Sequence, residues 1–429
     1  MRLDAVIFGG GAAGLWLLDR LSRDGHHVVL LESRGLGAGQ TVGSQAILHV
    51  GRTSTASGLA NRVVKPLREL PNLWRDALLG RIAPNLTRTR LRSECCYLWQ
   101  AEPLGTPSSR LRGVFGTHLG PEPDDIAGKV RSDDSTHTTA LADDERPAAL
   151  AEVAGPVRRL PEQVICPASF LADLADQYRD RLLQIDAERG LRFRLNSPGE
   201  VDAIQLTSPT DGSTLELKPR QVIFTAGSDN ARLRELVGLS VDVLLSRPLH
   251  MVLARGNLPE LNGHCIEGAK TIVTVTSDID DDGRTVWQIG GQFAENGFKL
   301  EPHSQTERVR EELIRILPGL DLRQIEWSTY RLDRAEGEMS NNSRRKAIQV
   351  FCAGNVTTGC PTKLVLAPVL AAEIADRASS PYITTPFDST PLADWPRPET
   401  ASLPWNEADR DWWTLADSPA RQLPQRRAA

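Results

Sequence analysis

The sequence predicts an α/β protein of two domains, one on a parallel sheet that carries a β-meander and one on a mainly antiparallel sheet. The first observation is a strand–turn–helix–strand pattern from Asp4 to Glu32. The second is a pair of later buried strands, near Gln221–Phe224 and Ala347–Asn355, each ending in a glycine turn. The third is a strand-rich stretch from Arg247 to about Tyr330 that contains one helix, Ser304–Ile316. Strands that alternate with helices favour a parallel sheet, and successive strands favour an antiparallel one.

The N-terminal segment carries a dinucleotide-binding pattern. Ala5–Phe8 is an apolar run of strand length, and Gly9, Gly11 and Gly14 follow it at G-x-G-x-x-G spacing. The first glycine permits a tight turn, the second lets a pyrophosphate approach the backbone, and the third lets the helix pack on the strand. The start of the helix adds free N–H groups and a partial positive charge. We therefore expect a Rossmann-like domain that binds a dinucleotide.

The second apolar strand, Val28–Leu31, ends in an acidic residue, Glu32. Its distance from the glycines is close to that of an acid which accepts hydrogen bonds from ribose hydroxyls. A carboxylate there also repels a 2′-phosphate, which argues against NADP. The motif by itself leaves FAD and NAD both open.

The composition is that of an ordinary globular protein. The 429 residues are 40% hydrophobic and 24% charged, with a formal net charge of −5 and no basic tract, so no nucleic-acid surface is indicated. No apolar run approaches the roughly 18 residues of a membrane-spanning helix, and the N-terminus lacks a signal-peptide layout. The six cysteines show no metal-type spacing. We expect reduced thiols, no metal and a cytoplasmic protein.

The order of these patterns predicts a discontinuous domain organisation. The ranges expected to form the nucleotide-binding domain are 1–80, 156–245 and 341–380, and those expected to form the substrate domain are 81–118 and 246–340. Residues 119–155 read as a surface insertion, because they hold few large apolar side chains. Residues 381–429 hold many prolines and four tryptophans. We expect them to form an extended tail that wraps the body or contacts a second subunit.

Local periodicity adds further elements. Helices are predicted over Asn61–Leu79, Ala168–Leu183 and Pro361–Arg377. Strands are predicted over Glu94–Trp99, Gly113–His118, Val201–Thr207 and Ser213–Leu217.

Several segments in their chain order carry a family resemblance. They are G-G-G-A-A-G at Gly9–Gly14, the acid Glu32, G-Q-T-V-G-S-Q-A-I-L-H-V-G at Gly39–Gly51, V-I-F-T-A-G at Val222–Gly227 and A-G-N-V-T-T-G-C-P-T-K-L-V-L-A-P at Ala353–Pro368. With them the chain resembles the FAD-dependent oxidoreductases of the D-amino-acid-oxidase superfamily. That group includes glycine and sarcosine oxidases, FAD-linked glycerol-3-phosphate dehydrogenase and L-2-hydroxyglutarate dehydrogenase.

The resemblance implies an FAD molecule stretched across the first domain, with its ring beside the Gly39–Gly51 loop. A helix starting near Pro361 would aim its dipole at the negative charge of reduced flavin, with Thr362 and Lys363 as donors. The residues that the resemblance assigns to the cofactor are Gly9, Gly11, Ala12, Ala13, Gly14, Glu32, Ser33, Gln40, Thr41, Ser44, Gln45, Ala226, Gly227, Gly354, Asn355, Pro361, Thr362 and Lys363.

Two kinds of side chain are candidates for chemistry on the substrate. His49 would act as a base or a positioning group, the alternative being a packed histidine. Arg331 or Arg334 would hold a carboxylate or phosphate through the planar guanidinium, the alternative being a pair with Glu336 or Asp333. The arginine segment lacks the G-x-R-P sequence of the amino-acid oxidases.

Other candidates have a weaker basis. Lys363 would contact the flavin or help to activate oxygen, unless it is a surface lysine, and Gln292 would face the pocket from a strand end. Cys360 occupies the stretch where some family members carry a covalent flavin link, although its neighbours differ here. Arg247 and His250 would line the cleft, unless they form an ordinary salt bridge and a surface histidine.

The function expected from the resemblance is hydride transfer to flavin N5. The hydride would come from a carbon bearing an amine or a hydroxyl, in a small or medium-sized and anionic substrate. Oxygen, a quinone or another carrier would then reoxidise the flavin, and a homodimer is possible. The alternatives are a flavin-dependent tailoring or RNA-modification enzyme on the same fold, and a nucleotide-binding subunit without catalysis.

Overall fold

The computed structural model describes residues 1–49, 61–101, 138–268, 270–337, 348–361 and 363–415. The expected strand Gly113–His118, most of the expected insertion, the end of the Gly39–Gly51 loop and Thr362 lie outside these residues. None of the helices within the described ranges is both long enough and apolar enough to cross a membrane.

The chain divides into two compact units, each made of three segments. The first unit consists of Met1–Glu94, Glu162–Pro248 and Leu332–Pro404, and the second of Cys95–Pro161, Leu249–Arg331 and Trp405–Ala429. The described part of the expected insertion, from residue 138, belongs to the second unit. The expected C-terminal tail is shared, because its residues to Pro404 belong to the first unit and the rest to the second.

The secondary structure consists of short strands with few long helices. In chain order the strands are β1 (Arg2–Phe8), β2 (Val28–Glu32), β3 (Leu91–Ser93), β4 (Cys96–Gln100), β5 (Thr139–Ala140), β6 (Val157–Leu160), β7 (Val164–Ile165), β8 (Leu182–Gln184), β9 (Leu191–Ser197), β10 (Glu200–Thr207), β11 (Thr214–Phe224), β12 (Leu244–Gly256), β13 (Gly263–Glu267), β14 (Lys270–Ile279), β15 (Thr285–Gly290), β16 (Glu326–Gly337), β17 (Ile348–Ala353), β18 (Val356–Pro361) and β19 (Trp413–Thr414). The helices are α1 (Ala12–Arg23), α2 (Asn61–Leu78), α3 (Pro167–Gln177), α4 (Asn230–Leu236), α5 (Gln292–Asn296), α6 (Pro302–Ile316) and α7 (Ala367–Ala375).

The sheet of the first unit runs in the order β17-β18-β11-β1-β2-β8, and β10 and β9 extend from β11 as a meander. Strand β1 is parallel to both β11 and β2, β2 is parallel to β8, and β11 is parallel to β18. The carboxyl ends of β1, β11 and β18 therefore meet at one edge, where loops of an open parallel sheet bind ligands. The predicted parallel sheet with a β-meander is confirmed.

The core of the first unit explains why its strands are so apolar. Val6 and Phe8 of β1 pack with Val222 and Phe224 of β11, and all four side chains are at most 2% exposed. Helix α1 packs on β2 and α7, and the side of the sheet that carries Phe8 packs against Phe193 and Ile204 of the meander, so both faces of the central strands are covered. Parallel strands buried on both faces read as continuous hydrophobic runs, which is why the sequence revealed them.

The sheet of the second unit runs in the order β19-β16-β12-β15-β14-β13-β4-β6-β5. Its pairs β12–β15, β14–β15 and β13–β14 are antiparallel, whereas β13 and β4 are parallel. Three fully buried tryptophans, Trp99, Trp287 and Trp327, belong to its core. The prediction of a second, mainly antiparallel sheet is confirmed.

Some predicted elements differ from those observed. The helix expected over Ala168–Leu183 ends at Gln177, and the chain then forms β8, a strand of three residues. The two strands expected on either side of Pro219 are one strand, β11, because β1 and β10 pair with its two halves. Strand β9 escaped notice because most of its side chains are exposed.

Candidate active site

The turn after β1 brings backbone atoms into unusually close contact. Gly9 has a φ of 102°, and a Cβ there would lie 2.5 Å from the Cα of Ala226. A Cβ on Gly14 would lie 1.9 Å from the carbonyl oxygen of Gly9. Any larger residue at these positions would separate α1 from the ends of β1 and β11. Two of the three glycines therefore hold the sheet edge and the helix together.

The start of α1 fits a negatively charged group. Gly11 is the N-cap and has no side chain to satisfy the first turn, which also contains no acidic residue. The hydroxyl oxygen of Thr41 accepts the N–H of Ala12 at 3.2 Å, and a Cβ on Gly11 would lie 3.1 Å from that oxygen. The first turn of α1 thus combines a helix dipole, no acidic side chain and a neighbouring hydroxyl group, which together suit a diphosphate.

Glu32 is bound by the backbone on both carboxylate oxygens. Oε2 accepts the N–H of Gly10 at 2.7 Å, and Oε1 accepts the N–H groups of Ser33 and Arg34 at 2.8 Å each. A carboxylate offers about four acceptor positions, so capacity remains for a ribose hydroxyl. The predicted residue Ser33 lies here as well, through its backbone.

The loop from Leu36 to His49 is attached at one end to the glycine turn that follows β1. The N–H of Gly37 donates to the carbonyl oxygen of Gly10 at 2.9 Å, and a Cβ on Gly10 would lie 2.5 Å from Leu36 Cδ2. Further along, Ser44 Oγ donates to the carbonyl oxygen of Thr41 at 2.8 Å. The predicted residues Thr41 and Ser44 thus stabilise one another's loop conformation.

The same loop is also attached to the residue before β7, through Leu48, and to β16, through Gln40. The N–H of Leu48 donates to the carbonyl oxygen of Gln163 at 2.8 Å. Gln40 Oε1 accepts the N–H of Ala335 at 3.3 Å. Between them Ala46 has a φ of 52°, in the left-handed region that a residue with a Cβ rarely occupies. Sequence reasoning missed Ala46, since nothing but glycine signals such a conformation.

Charged side chains from four segments of the first unit gather beside this loop. His49 Nδ1 lies 3.7 Å from Glu162 Oε1. Glu336, which is 8% exposed, lies 3.6 Å from Arg247 Nη2 and 4.0 Å from Arg334 Nη1. The alternative pairing of Arg334 with Glu336 is therefore observed, although at a long distance. Glu162 is a member that sequence reasoning missed.

Lys363 belongs to the same group and is half-buried. Burial, together with the nearby Arg334 cation, lowers the pKa of Lys363 below its ordinary value, and Glu162 opposes this only partly. An ammonium group held under such conditions gains from an anionic ligand. The structure thus brings together His49, Arg334 and Lys363 of the predicted catalytic residues.

Arg331 and Gln292 belong to the second unit. The guanidinium of Arg331 donates to the carbonyl oxygens of Phe298 and Leu300, the latter at 2.7 Å, and its side chain is exposed. These contacts hold the backbone after α5, and the substrate role of Arg331 stays a prediction. Gln292 is the first residue of α5 and not, as expected, the end of a strand.

His250 also belongs to the second unit. It is fully buried and its Nδ1 lies 3.1 Å from the carbonyl oxygen of Gly297. The expectation of a cleft or surface histidine was therefore wrong. Burial lowers the pKa of His250, which favours the neutral imidazole.

Asn230 connects the turn that follows β11 with strand β18. Its Oδ1 accepts the N–H of Ala226 at 2.8 Å, and its Nδ2 donates to the carbonyl oxygen of Gly359 at 3.2 Å. Gly227 follows with a φ of 60° and open space where a Cβ would be, so its backbone is accessible to a ligand. Sequence reasoning missed Asn230, although it lies three residues after the V-I-F-T-A-G motif that ends at Gly227.

Cys360 does not resemble an attachment site for a cofactor. The thiol is 2% exposed, and burial raises the pKa of Cys360 to about 11. Since the thiolate is the nucleophile, such a cysteine is unreactive near neutral pH.

The glycine turn at Gly354–Asn355 lies at the opposite edge of the sheet. It precedes β18, which is parallel to β11 in the register Val222↔Val356. The side chain of Asn355 is bonded to both backbone groups of Val201, at 2.8 Å each. Gly354 and Asn355 therefore lie at the start of β18, at the edge of the sheet opposite Gly9 and Gly227, and their cofactor role stays a prediction.

Pro361 ends a strand and does not begin a helix. Strand β18 runs to Pro361, since β17 pairs with it along its whole length, and α7 begins only at Ala367. The expectation that a helix, and with it a helix dipole, begins at Pro361 was therefore wrong. Lys363 reaches the charged group from a connecting segment before a short 3₁₀ turn, Leu364–Leu366.

The chain was compared with known families and structures. A family model described as FAD dependent oxidoreductase (DAO) matches residues 4–377. A probable FAD-dependent oxidoreductase of Pseudomonas aeruginosa is 34% identical over 413 residues, which are 95% of this chain and 98% of the relative. A crystal structure of an FAD-dependent oxidoreductase from the same organism has a TM-score of 0.74 and 31% identity, covering 94% of this chain and 98% of that one.

Two more distant structures share the fold. Glycine oxidase from Geobacillus kaustophilus has a TM-score of 0.56 and 17% identity, over 91% of this chain and 98% of that chain. L-α-glycerophosphate oxidase from Mycoplasma pneumoniae, solved with FAD bound, has a TM-score of 0.55 and 12% identity, over 95% of this chain and 98% of that chain.

Proposed function

Because the chain belongs to the DAO family of FAD-dependent oxidoreductases, we propose that it oxidises a carbon bearing an amine or a hydroxyl in a small or medium-sized anionic substrate. The observation that carries this proposal is the group of charged side chains around Lys363 in the first unit. Bound FAD would supply the hydride acceptor at its N5 atom. The names of two fold neighbours, glycine oxidase and glycerophosphate oxidase, illustrate the two substrate types.

The residues proposed to hold FAD are those at the carboxyl edge of the parallel sheet. The N-terminus of α1 would bind the diphosphate, and Glu32 would accept from the ribose. The loop from Gln40 to Gln45 and the accessible backbone at Gly227 would line the cofactor further along. Thr41 contributes a hydroxyl at the helix start, where it already orders the first turn.

The charged group supports an anionic substrate. Arg334, Arg247 and Lys363 bring three basic side chains to this group, beside the carboxylates of Glu336 and Glu162. A substrate carboxylate or phosphate would relieve the like-charge repulsion between Lys363 and Arg334. Arg334 can offer two parallel N–H donors, which fix the orientation of such a group.

His49 is proposed to move the proton. Loss of a hydride from an amine or hydroxyl carbon leaves an N–H or O–H proton that a base must accept. His49 Nδ1 faces Glu162, and a carboxylate partner stabilises the imidazolium that forms. Most of the rate should come from placing the reacting C–H correctly, with a modest contribution from this base.

The experiment is a substrate screen on the purified holoprotein. A yellow protein absorbing near ~450 nm is expected, and anaerobic addition of 2-hydroxy acids, amines and amino acids should bleach it with the true substrate class. Arg334→Gln should raise the KM for that substrate without abolishing the yellow colour. Arg194→Gln, an exposed arginine on β9 that pairs with Asp202 and Glu216, is the matched control.

The substrate proposal would be contradicted if dithionite bleached the protein while none of the amines, amino acids and hydroxy acids did. An unchanged KM in Arg334→Gln would contradict the role of the charged group.

A further inference from the structure

The segment 379–401, which we call the strap, lies along the outer edge of the parallel sheet in the first unit. Near its start the N–H of Tyr382 donates to Asp4 Oδ1 at 2.7 Å, and the other oxygen of Asp4 accepts the N–H of His27 at 2.8 Å. His27 Nε2 lies 2.6 Å from the carbonyl oxygen of Thr385. Buried polar side chains thus attach the strap to the beginnings of β1 and β2.

The middle of the strap covers β8, the last strand on this side of the sheet. Trp395 Nε1 donates to the carbonyl oxygen of Gln184 at 2.8 Å, and the N–H of Gln184 donates to the carbonyl oxygen of Pro396 at 2.8 Å. Arg397 Nη1 donates to the carbonyl oxygen of Leu182 at 2.7 Å. Trp395 is also part of the hydrophobic core of the first unit. The strap is therefore an integral part of the fold.

The end of the strap reaches the loop that follows Glu32. The N–H of Leu36 donates to the carbonyl oxygen of Glu399 at 2.8 Å, and the N–H of Ala401 donates to the carbonyl oxygen of Leu36 at 3.0 Å. These two bonds form a parallel bridge between Leu36 and Thr400. Leu36 is 1% exposed and lies against Gly10, whose N–H in turn donates to Glu32.

We infer that the strap belongs to the cofactor-binding apparatus, because it fixes Leu36 and thereby orients Gly10 and Glu32 for the adenosine end of FAD. A loop that is already ordered does not lose that freedom on binding, so its affinity is higher. The inference rests on the proposed position of FAD at the carboxyl edge of the parallel sheet. The residues Glu399 and Ala401 of the strap act as positioning residues, since they bind Leu36 and not the proposed cofactor-binding residues themselves.

The test removes one bond of the bridge. Ala401→Pro deletes the N–H that donates to Leu36, and Thr400 before it already lies in an extended bridge, which a following proline accepts. Ser402→Pro, one residue later at an exposed position, is the matched control. FAD is titrated into each apoprotein and its fluorescence followed.

The expected result is an FAD Kd about tenfold higher for Ala401→Pro, the effect of one backbone hydrogen bond, with Ser402→Pro like the wild type. ADP, which contains the adenosine diphosphate end alone, should lose affinity by the same factor. The reduction potential of the bound flavin should not change, since the strap contacts the other end of the site.

Two results would overturn the inference. One is a wild-type FAD affinity in Ala401→Pro. The other is an ADP affinity that stays constant while FAD affinity falls. A measurement on the wild-type protein keeps the test valid if the variant misfolds. If the strap favours FAD binding, FAD binding must in turn favour the strap contacts, so FAD should slow hydrogen exchange at the amides of Leu36 and Ala401. A wild-type protein that binds no FAD would instead contradict the proposed cofactor position.

Discussion

The carboxylate of Glu32 accepts N–H groups from the turn after β1 and from the residues that follow β2. It therefore joins two loops before any ribose is bound. In such an arrangement one side chain sets both the shape of the site and its preference for a free ribose hydroxyl. Loss of this carboxylate should lower FAD affinity more than it lowers the free energy of unfolding, since the backbone N–H groups that it binds can donate to water instead.

Replacing Glu32 by glutamine should weaken FAD binding by about tenfold or more, because an amide NH₂ would face an N–H donor. Titration of FAD into apoprotein measures the change. The matched control is Asp186→Asn, which alters a carboxylate that accepts the N–H groups of Glu188 and Arg189 in a turn after β8. Equal FAD affinities for the wild type and Glu32→Gln would refute the role assigned to this carboxylate.

Replacing Lys363 by methionine should stabilise the apoprotein while lowering kcat/KM. The pKa of Lys363 is lowered in the folded chain, first by burial and then by Arg334, so the unfolded chain binds more protons between that pKa and the ordinary value. Stability of the wild type therefore rises with pH across this window, and the cost of the buried charge is greatest below it. The variant escapes this cost.

Melting temperatures of the wild-type and Lys363→Met apoproteins from pH 7 to about 10.4 test this. The difference between the two melting temperatures should narrow towards the upper end of this range, where an unperturbed lysine titrates. Lys218→Met, an exposed lysine that lies 3.2 Å from Glu216, should show no gain. A lower melting temperature for Lys363→Met at pH 7 would contradict the expectation.

At the scale of elements, two buried asparagine contacts lie at the two ends of strand β18. Asn355 joins the turn to Val201 at one edge of the sheet, and Asn230 joins Ala226 to Gly359 at the other. Both side chains satisfy buried backbone groups. Only the second lies beside the proposed cofactor position.

Asn355→Ala should lower the free energy of unfolding by about 1–3 kcal/mol and leave FAD affinity unchanged, because it leaves backbone groups of Val201 unpaired. Asn230→Ala, the matched variant, should lower both quantities. Denaturant unfolding of the apoproteins and FAD titration give the two numbers. A loss of FAD affinity in Asn355→Ala would contradict this expectation and support the predicted cofactor role of Asn355.

How far the elements were predictable depends on the range of their contacts. The β1–α1–β2 unit was read correctly because its glycines, apolar runs and acid are all local. Pro361 and Pro368 both suit the first turn of a helix, and only the pairing of β18 with β17, in which Ile348 lies opposite Pro361, selects the second. Strand β8 has three residues and no period of its own, so its neighbours decide its structure.

The same distinction holds for the site. His49 and Lys363 were recognised by residue type within family-like motifs, whereas Arg334 was chosen for the chemistry of its guanidinium alone. Arg331 and Arg334 lie in one strand, yet one contacts Phe298 and Leu300 while the other lies near Glu336. No spacing rule distinguishes them, because the neighbours of each arginine come from distant parts of the chain.

At the scale of the whole molecule, the first unit contains every residue proposed here to hold FAD. We therefore expect FAD to stabilise this unit preferentially, by about 2.7 kcal/mol at a hundredfold excess over Kd. Hydrogen exchange of apoprotein and holoprotein measures it: the amides at the ends of β1 and β11 should be protected more than those of β14 in the second unit. Stronger protection of β14 would place the cofactor elsewhere.

The parallel pairing of β11 with β18 also governs how this protein can be made. The glycine turn after β1 is synthesised first, but the edge at which it lies is incomplete until Pro361 has left the ribosome, roughly 20 to 70 seconds later at about 5–20 residues per second. During that interval the apolar strands β1 and β2 have emerged without one of the sheet's parallel strands. We therefore expect full FAD affinity only after β18 has been synthesised, because Asn230 joins Ala226 beside the proposed cofactor position to Gly359 of that strand.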